Sequence, residues 1–548
     1  MEGKMDILAI IPARGGSKGI PRKNVRLLVG KPLISYSIQN ALNSKYSLDV
    51  VVSTDDEEIE RISNQYGASV LIRPTDLASD DVTLDPVIYH AVKTFEQKRN
   101  KTYDIVITMQ PTSPLLTTKT LDSAIEYFIK NDFDTVLSGV NKPHLAWTEK
   151  DGKVIPLYQK RLNRQYLPKN LLETGAFFIS KRKFIDKNNR FGPEISVFDV
   201  PENESIDIDS SQDWWVAEKE LSKKKILIRV EGYAEIGLGH IYRGLLLAYN
   251  FIDHNVCFVL SSQSDLGIEK IKQSHFQYKV IDNNNELYEL LKLGNYDILV
   301  NDMLDTNSEY IKKCKEMCGR VVNFEDLGAG AALADAVIND LYDKKNDRNN
   351  HYWGSDYYCI RDEFLIAEPS KFKEEVKEVL VIFGGTDPSN LTQRVLNIVE
   401  SINKSDIHYT FILGMGYAKA DELINSAQKD NLNVDFVKDV KLMSEYMANA
   451  DIAISSQGRT MLELASMSVP TILLAQNERE QHHEFGYLKN GFINLGLGKN
   501  VDNNTIRETL LWLINSPQIR KQMKEQMEKK DLRLGIERVK NIILNKHI

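Results

Sequence analysis

The sequence predicts an α/β protein in which mainly parallel sheets are covered by helices. Short apolar runs of strand length, such as those that begin at Ile7 and Lys225, alternate with helical stretches of about 12–15 residues. Glycine-rich loops follow several of these runs. Such loops lie at the carboxyl ends of parallel strands, where ligands bind in sheets of this kind.

The length of the chain, 548 residues, is too great for a single hydrophobic core. A charged segment at 216–225 separates two well-patterned halves, and a second unit begins near Val376 within the later half. We therefore expect three domains, with the boundaries 1–222, 225–368 and 369–548.

Composition narrows the class of protein. Lys and Arg number 69 against 77 Asp and Glu, and the net charge of −8 argues against a nucleic-acid surface. No apolar run approaches the roughly 18 residues of a membrane helix, and the first residues carry no secretory pattern, so we expect a cytoplasmic protein without a membrane partner. The cysteines lack a second ligand pair at zinc spacing and are predicted to be reduced thiols: Cys257, Cys314, Cys318 and Cys359.

The loop after the first strand is rich in glycine and in cations. It reads PARGGSKGIPRKN, and Gly15, Gly16 and Gly19, which have no Cβ, allow the backbone to approach a polyphosphate closely. Ser17 lies among them and is expected to contact the nucleotide. Arg14 and Lys23 supply positive charge beside it. The spacing matches neither a Walker loop nor a dinucleotide fingerprint. We interpret it as a different kind of phosphate-binding loop.

An acidic segment, ESIDIDSS, closes the first half. On a strand, Asp207 and Asp209 would point to the same face, about 7 Å apart. Two carboxylates so placed suit Mg²⁺ that bridges nucleotide phosphates, although alternating aspartates also occur on solvated strand edges.

The string IPARGGSKGIPRKN resembles the N-terminal signature of the acylneuraminate cytidylyltransferases, and the likeness extends over roughly 5–220. The resemblance implies a Rossmann-like nucleotidyltransferase domain that uses CTP, Mg²⁺ and a nine-carbon 2-keto sugar acid, and a homodimer formed through this domain. It also implies that the metal ligands are Asp207 and Asp209, and that the nucleotide and sugar are held by Asn24, Arg73, Gln110 and Ser113.

The expected chemistry is attack of the sugar's anomeric hydroxyl on the α-phosphate of CTP, with Arg14 and Lys23 offsetting the triphosphate charge. One departure from the family is Thr174, which stands before Gly175 where asparagine is usual, so the sugar acid is left open. An enzyme acting on 3-deoxy-octulosonate or on a phosphonate is the alternative.

The second half begins with another strand and the turn EIGLGHIYR. Gly239 and His240 lie in a strand-to-helix turn, with the helix expected from Ile241. The near-neutral pKa of an ordinary histidine suits general-base catalysis, although a lone histidine is more often structural.

Two later turns repeat this arrangement of strand, glycine and helix. FGGTDPSN carries Gly385 and Thr386, with Asn390 or the threonine after it expected to cap the next helix. SSQGRTMLELA carries Gly458, Thr460 and, one turn into the helix, Glu463. Two facing Rossmann-like units would form a cleft for a nucleotide sugar.

This half, over roughly 225–535, resembles the GT-B superfamily and within it the UDP-sugar hydrolases of pseudaminic acid biosynthesis. The resemblance implies that His240 activates water, that the Gly458, Thr460 and Glu463 segment holds UDP, and that Asn477 lies in a late binding stretch. The sequence departs from the pattern of this family at Glu231, Arg459 and the segment 477–480, so it does not identify the sugar of the UDP-sugar substrate.

Together the two halves predict a bifunctional enzyme of nonulosonic acid biosynthesis. Two alternatives remain for the second half. It could be a GT-B glycosyltransferase, or a non-catalytic unit that binds a sugar nucleotide and regulates the first half.

Overall fold

The computed structural model describes residues 5–546 apart from Lys18, Asp80, Ala234, Glu235, Lys344, Asn346, Asn403, 428–432 and Asp439. The chain divides into two compact units, one up to Lys223 and the other from Lys224 onward. No helix in the described part is long and apolar enough to cross a membrane.

The first unit alternates strands and helices. Its strands are β1 (Ile7–Pro12), β2 (Leu27–Leu28), β3 (Lys31–Pro32), β4 (Asp49–Thr54), β5 (Ser69–Ile72), β6 (Ile105–Met109), β7 (Thr135–Asn141), β8 (Trp147–Lys150), β9 (Lys153–Pro156), β10 (Leu171–Lys181) and β11 (Ile195–Asp199). Its helices are α1 (Leu33–Leu42), α2 (Glu57–Gln65), α3 (Leu84–Arg99), α4 (Thr118–Asn131) and α5 (Ser211–Leu221).

Described strands of this unit form one large sheet in the order β11-β7-β10-β6-β1-β4-β5. All neighbours are parallel except that β10 runs antiparallel to both β6 and β7. Along β1, Ile7, Ala9 and Ile11 pack with α1, α2 and α4, whereas Leu8 and Ile10 pack with α3. Both faces of the sheet are therefore buried, which explains why β1 is apolar throughout.

The second unit contains two Rossmann-like parts. The strands of the first part are β12 (Lys225–Val230), β13 (Asn255–Ser261), β14 (Gln277–Ile281), β15 (Ile298–Asp302), β16 (Arg320–Phe324), β17 (Ala336–Asn339) and β18 (His351–Trp353). Its helices are α6 (Gly239–Asn250), α7 (Asp265–Gln273), α8 (Asn284–Gly294), α9 (Ser308–Met317) and α10 (Asp362–Ile366).

The strands of the second part are β19 (Glu378–Ile382), β20 (His408–Leu413), β21 (Val434–Lys438), β22 (Ile452–Ser455), β23 (Thr471–Ala475) and β24 (Phe492–Leu497). Its helices are α11 (Leu391–Ile402), α12 (Ala420–Ala427), α13 (Met443–Asn449), α14 (Thr460–Ser466) and α15 (Glu478–Gln481), followed by α16 (Asn503–Ile514), α17 (Pro517–Glu528) and α18 (Gly535–Leu544).

Both sheets of the second unit are parallel, in the orders β14-β13-β12-β15-β16-β17-β18 and β21-β20-β19-β22-β23-β24. One apolar cluster joins the two parts, because Leu341 and Tyr358 pack with Met461 and Phe485. Helix α18 returns to the first part, where Val539 and its neighbours pack beside α6. The predicted fold class, a nucleotidyltransferase-type α/β domain followed by a GT-B-type pair, is confirmed.

Three local predictions need correction. Helix α6 begins at Gly239, two residues before Ile241. Neither Asn390 nor the next threonine caps α11. Instead the carboxylate of Asp387 accepts hydrogen bonds from the backbone N–H groups of Leu391 and Thr392. The lysine- and glutamate-rich sequence of roughly 503–548 predicts a solvated amphipathic helix, but this segment forms three helices, α16, α17 and α18.

Candidate active sites

The first candidate site lies at one end of the strands of the first sheet, where β1, β4 and β6 end and the antiparallel β10 begins. Its phosphate loop packs tightly against acidic residues after β4. The N–H of Gly15 donates to Asp55 Oδ1 at 3.2 Å, and a Cβ on Gly15 would stand 2.6 Å from Asp56 Oδ2. Only glycine fits at this position without displacing Asp56. Gly16 has open space around it, and the N–H of Ser17 donates to the Gly15 carbonyl at 3.1 Å.

The side chain of Asn24 anchors the backbone of the phosphate loop. Its Nδ2 donates to the carbonyl of Arg14 at 3.0 Å, and its side chain is buried. In this arrangement Asn24 fixes the course of the loop, so that its effect on a nucleotide would be indirect. The Arg14 side chain lies close enough to the buried Arg73 to contribute to the lowering of that residue's pKa, which is mainly an effect of burial.

Lys23 connects the phosphate loop to the acidic segment. Its Nζ donates to the carbonyl of Ile208 at 2.6 Å and to Asp209 Oδ1 at 3.3 Å. Gly19 also touches this segment, since a Cβ there would stand 2.5 Å from the carbonyl oxygen of Asp209. The loop and the aspartates are thus held together by direct contacts.

The predicted strand at Asp207 and Asp209 is wrong. The segment 205–209 is irregular, and the N–H of Ile208 donates to the Thr112 carbonyl at 2.8 Å, which fixes the segment beside the loop after β6. Ile208 is buried in an apolar cluster, and this burial produced the alternating pattern without a strand. The two carboxylates nevertheless lie near each other, since the charge of Asp209 acts on the carboxyl group of Asp207.

Asp207 has the features of a cation ligand. Its Oδ1 is buried and has no hydrogen-bond partner among the described residues. Burial raises the pKa of Asp207 and outweighs the lowering effect of the nearby Thr112 hydroxyl, and the charge of Asp209 adds to the rise. The Asp209 side chain is 80% exposed and open to a ligand. A divalent cation would satisfy both carboxylates, although no cluster of three or more His, Cys, Asp or Glu side chains suited to a metal occurs in the described residues.

The remaining predicted residues of this site lie around the same end of the strands. Arg73 is buried and its guanidinium donates to the Ser53 carbonyl at the end of β4. Ser113 is buried and its Oγ donates to the carbonyl of Thr174 at 3.4 Å. Gln110 faces Gly175, which has a φ of 69° and lacks the Cβ that would stand 3.1 Å from Gln110 Nε2.

Thr174, the departure from the family pattern, is turned inward. Its hydroxyl donates to Ser138 Oγ at 2.9 Å, and the residue is 3% exposed. The hydroxyl therefore joins β10 to β7 within the sheet.

The second candidate site lies between the two Rossmann-like parts of the second unit. Three turns that are far apart in sequence meet there. A Cβ on Gly237 would stand 3.6 Å from Thr386 Oγ1, and one on Gly239 would stand 3.4 Å from Arg459 Cδ. The turn at Gly385 approaches Leu238 in the same way, at 3.8 Å. These are ordinary contact distances, and they show that the three turns are direct neighbours.

His240 lies on the first turn of α6 at this junction. Its Nδ1 lies 2.6 Å from Asp302 Oδ1, at the end of β15, and its side chain is 11% exposed. Because a carboxylate only accepts hydrogen bonds, Nδ1 carries the proton, and Nε2 of the neutral ring is left as an acceptor. A histidine oriented in this way by a carboxylate can take a proton from water.

Arg243 holds the carboxylates behind this histidine. It is fully buried, and its Nε donates to Asp302 Oδ2 at 2.6 Å. Its Nη1 contacts Glu325 and lies 3.3 Å from Asp340 Oδ1. Burial alone would raise the pKa of Asp302 and of Glu325, but Arg243 outweighs this effect and both values lie below the ordinary range. The carboxylates therefore stay charged inside the protein.

Two arginines of the second part reach the same acidic group. Arg459 Nη1 donates to Asp340 Oδ2 at 3.0 Å and lies 3.4 Å from Glu325 Oε1. Arg479 lies 3.2 Å from Asp305 Oδ1 and donates to the Glu325 carbonyl. Ion pairs thus cross from one Rossmann-like part to the other at the candidate site.

The other predicted residues of the second unit have local partners. Glu463 Oε1 accepts from Arg361 Nε at 2.9 Å. Asn477 Oδ1 accepts from the Glu480 N–H at 2.9 Å and so caps α15. Thr460 is the first residue of α14, and a Cβ on Gly458 would stand 3.1 Å from Glu480 Oε1.

Glu231, the unusual residue before the glycine-rich turn, is buried and has partners on neighbouring elements. It accepts hydrogen bonds from Ser261 and Ser264.

The sequence reasoning missed the group behind His240, which consists of Arg243, Asp302, Glu325 and Asp340. A signal was present, since β15, β16 and β17 are each followed or ended by acidic residues. Their order in the sheet places these ends side by side, and this order cannot be read from the sequence.

The fold and these two sites define a nucleotidyltransferase unit joined to a pair of Rossmann-like parts with a carboxylate-paired histidine between them. The family model described as Cytidylyltransferase matches residues 8–171, and that described as Glycosyltransferase family 28 C-terminal domain matches residues 379–539. Pseudaminic acid cytidylyltransferase of Campylobacter jejuni is 38% identical over 217 residues, covering 38% of this chain and 93% of that protein. The chain belongs to the cytidylyltransferase family.

Similarity extends into the second unit. A Helicobacter pylori protein, named as pseudaminic acid cytidylyltransferase and UDP-2,4-diacetamido-2,4,6-trideoxy-beta-L-altropyranose hydrolase, is 26% identical over 539 residues, covering 93% of this chain and 97% of that protein. An uncharacterised protein of Methanocaldococcus jannaschii is 29% identical over 284 residues, and the match spans 48% of this chain and 58% of that protein's length. The two resemblances inferred from the motifs are confirmed.

Proposed function

We propose that the chain is a bifunctional enzyme that makes a CMP-activated sugar acid of the pseudaminic type and hydrolyses a UDP-linked diacetamido-trideoxy sugar. The observation that carries the second activity is the oriented pair of His240 and Asp302 between two Rossmann-like parts. The names of the Campylobacter and Helicobacter relatives support the choice of substrates.

In the first unit, the phosphate loop and its cations bind the triphosphate of CTP. The backbone around Gly16 is open to phosphate oxygens, and Arg14 and Lys23 offset their charge. The anomeric oxygen of the sugar acid forms a bond to the α-phosphorus, and the bond to the β-phosphate oxygen breaks, releasing pyrophosphate. The protein's contribution is to position both substrates and to neutralise charge.

Asp207 and Asp209 would hold Mg²⁺ beside this loop, and the buried, unpartnered oxygen of Asp207 fits a hard cation. When bound, Mg²⁺ would neutralise phosphate charge as the leaving group departs. Lys23 keeps Asp209 next to the loop through its contact at 3.3 Å.

In the second unit, His240 takes a proton from water through Nε2, and the water oxygen attacks the anomeric carbon of the sugar. The bond from that carbon to the β-phosphate oxygen breaks, giving the free sugar and UDP. Asp302 holds the ring in the required orientation and stabilises the positive charge that the ring gains.

The intact protein tests this proposal when it is incubated with the UDP-linked diacetamido-trideoxy sugar and no acceptor. Release of free UDP together with free sugar is expected. In a parallel reaction, CTP, Mg²⁺ and pseudaminic acid should give pyrophosphate and CMP-sugar. A sugar nucleotide that binds without any release of UDP would contradict hydrolysis.

A glycosyltransferase is the second candidate for the later unit, and the match of residues 379–539 to a glycosyltransferase family favours it. A transferase would release UDP only when an acceptor sugar is added. The acceptor-free reaction therefore separates the two candidates. We also retain the proposal that the protein is a homodimer, which the mass from light scattering would test.

A further inference from the structure

We propose that Arg459 binds the β-phosphate of the sugar nucleotide and stabilises the charge on UDP as the bond to the sugar breaks. This inference rests on the proposed hydrolase activity. It assigns a role to one of the residues at which the loop after β22 departs from its family pattern.

Arg459 is placed beside the base. Its Cδ would lie 3.4 Å from a Cβ on Gly239, the residue directly before His240. The diphosphate of a sugar nucleotide has to lie close to the attacking water, because the scissile bond joins the sugar to the β-phosphate. A cation next to the turn of His240 is therefore within the region that the leaving group occupies.

The side chain is held from several sides. Its guanidinium lies 4.7 Å from the ring of Tyr358, whose hydroxyl donates to the Arg459 carbonyl at 3.1 Å. Asp340 and Glu325 fix Nη1. A cation preorganised in this way needs little rearrangement when charge develops on the leaving group.

The guanidinium has donors left for a phosphate. Both of the hydrogen bonds to carboxylates described above use Nη1, and an arginine carries five N–H groups in total. The remaining three, on Nε and Nη2, form the edge that binds phosphate or carboxylate through two parallel hydrogen bonds. The side chain is 18% exposed, so it is not sealed from the cleft.

The same two carboxylates contact both the arginine proposed for the leaving group and the arginine behind the base. Glu325 and Asp340 contact Arg459 on one side and Arg243 on the other, and Arg243 holds the Asp302 that orients His240. The water-activating base and the cation for the leaving group are thereby fixed to one another. The competing interpretation is that Arg459 only ties the two Rossmann-like parts together.

The test compares Arg459→Gln and Arg459→Lys with the unchanged protein, using calorimetric binding of UDP and UMP and the rate of UDP release. Arg507→Gln serves as the matched control, because that arginine lies on the exposed side of α16 and pairs with Glu508. UMP lacks the β-phosphate and so reports the nucleoside part of the site alone.

We expect Arg459→Gln to weaken UDP binding at least 10-fold, to leave UMP binding unchanged, and to lower kcat by about 10²-fold. Arg459→Lys should recover part of the UDP affinity and less of kcat, since lysine offers a point charge without the planar pair of donors. The control should match the unchanged protein.

An unaltered ratio of UDP to UMP affinity in Arg459→Gln, with kcat within twofold, overturns the inference. The same holds if the variant only lowers the melting temperature of the second unit. If UDP affinity falls as expected but the unchanged protein releases no UDP from the sugar nucleotide, the phosphate contact is supported and the proposed hydrolysis is refuted. The two failures are thus distinguishable.

Discussion

Nδ1 of His240 lies 2.6 Å from Oδ1 of Asp302, although the two residues are 62 positions apart in the sequence. His240 comes from the first turn of α6, and Asp302 is the last residue of the neighbouring strand β15. The contact fixes which nitrogen of the ring carries the proton, and so which nitrogen of the neutral ring is left as an acceptor.

Replacing Asp302 with asparagine should lower kcat for UDP release by about 10²–10⁴-fold, with a much smaller change in KM. The amide keeps the shape but can neither hold the required tautomer nor balance the positive charge on the ring. Steady-state kinetics would measure both constants. Asp282→Asn, at an exposed position after β14, is the control. An equal loss in both variants would show that the effect does not come from the base.

His240→Asn should abolish UDP release while UDP still binds, because the variant loses the proton acceptor and keeps the rest of the cleft. Calorimetry with UDP and a discontinuous assay for free UDP would measure the two effects. Unchanged turnover would show that a different group activates the water. CMP transfer by the first unit should be unaffected, and it serves as an internal control.

Asp207→Asn and Asp209→Asn should each reduce Mg²⁺-dependent CMP transfer to the background rate. Each variant removes a negative ligand for the cation, while the amide preserves the size of the side chain. Pyrophosphate release at several Mg²⁺ concentrations would measure the loss. Asp151→Asn is the control, since Asp151 lies in the exposed turn between β8 and β9 with a φ of 54° that asparagine tolerates. Full transfer in either site variant would refute the metal assignment.

Glu480 should make the stability of the second unit depend on pH. Burial raises the pKa of its carboxyl group from 4.5 to about 7, even though the Gln476 N–H donates to it. Between these pH values the folded protein holds a proton that the unfolded chain has lost. The favourable contribution is therefore complete below about pH 4.5 and is lost as the pH rises through 7.

Glu480→Gln should remove this dependence. Its free energy of unfolding, relative to the unchanged protein, should increase by at most about 3 kcal/mol between pH 4.5 and pH 8. Urea unfolding at both pH values would measure the change. Glu478→Gln, in the same helix and exposed, should show no such trend. A parallel pH response in Glu480→Gln and the unchanged protein would contradict the expectation.

Separate expression of residues 1–222 and 225–548 should give two soluble proteins, each with its own activity. Helix α5 ends at Leu221 and β12 begins at Lys225, so the cut disrupts no strand or helix. Gel filtration and the two assays would check the outcome. Aggregation of both fragments would argue against a boundary at this position.

Much of the fold could be predicted because buried parallel strands have a simple signature. The runs at β1, β12, β19 and β22 are mainly apolar, and each is followed by the glycine-rich turn that the sequence places there. The wrong strand at Asp207 and Asp209 shows the limit of this signature. One buried isoleucine between two polar residues gives the same alternation whether or not a strand partner is present.

The sequence by itself was enough to predict the phosphate loop, the histidine turn and the two resemblances, because each depends on short continuous stretches of residues. Only the tertiary structure decided what lies behind His240. Arg243, Asp302, Glu325 and Asp340 span 97 positions between the first and last of them, and they meet because the sheet places the ends of β15, β16 and β17 next to α6. Burial then requires such charges to be paired. Each of them alone is an ordinary charged residue in the sequence, and their partners are set by strand order, which no local pattern encodes.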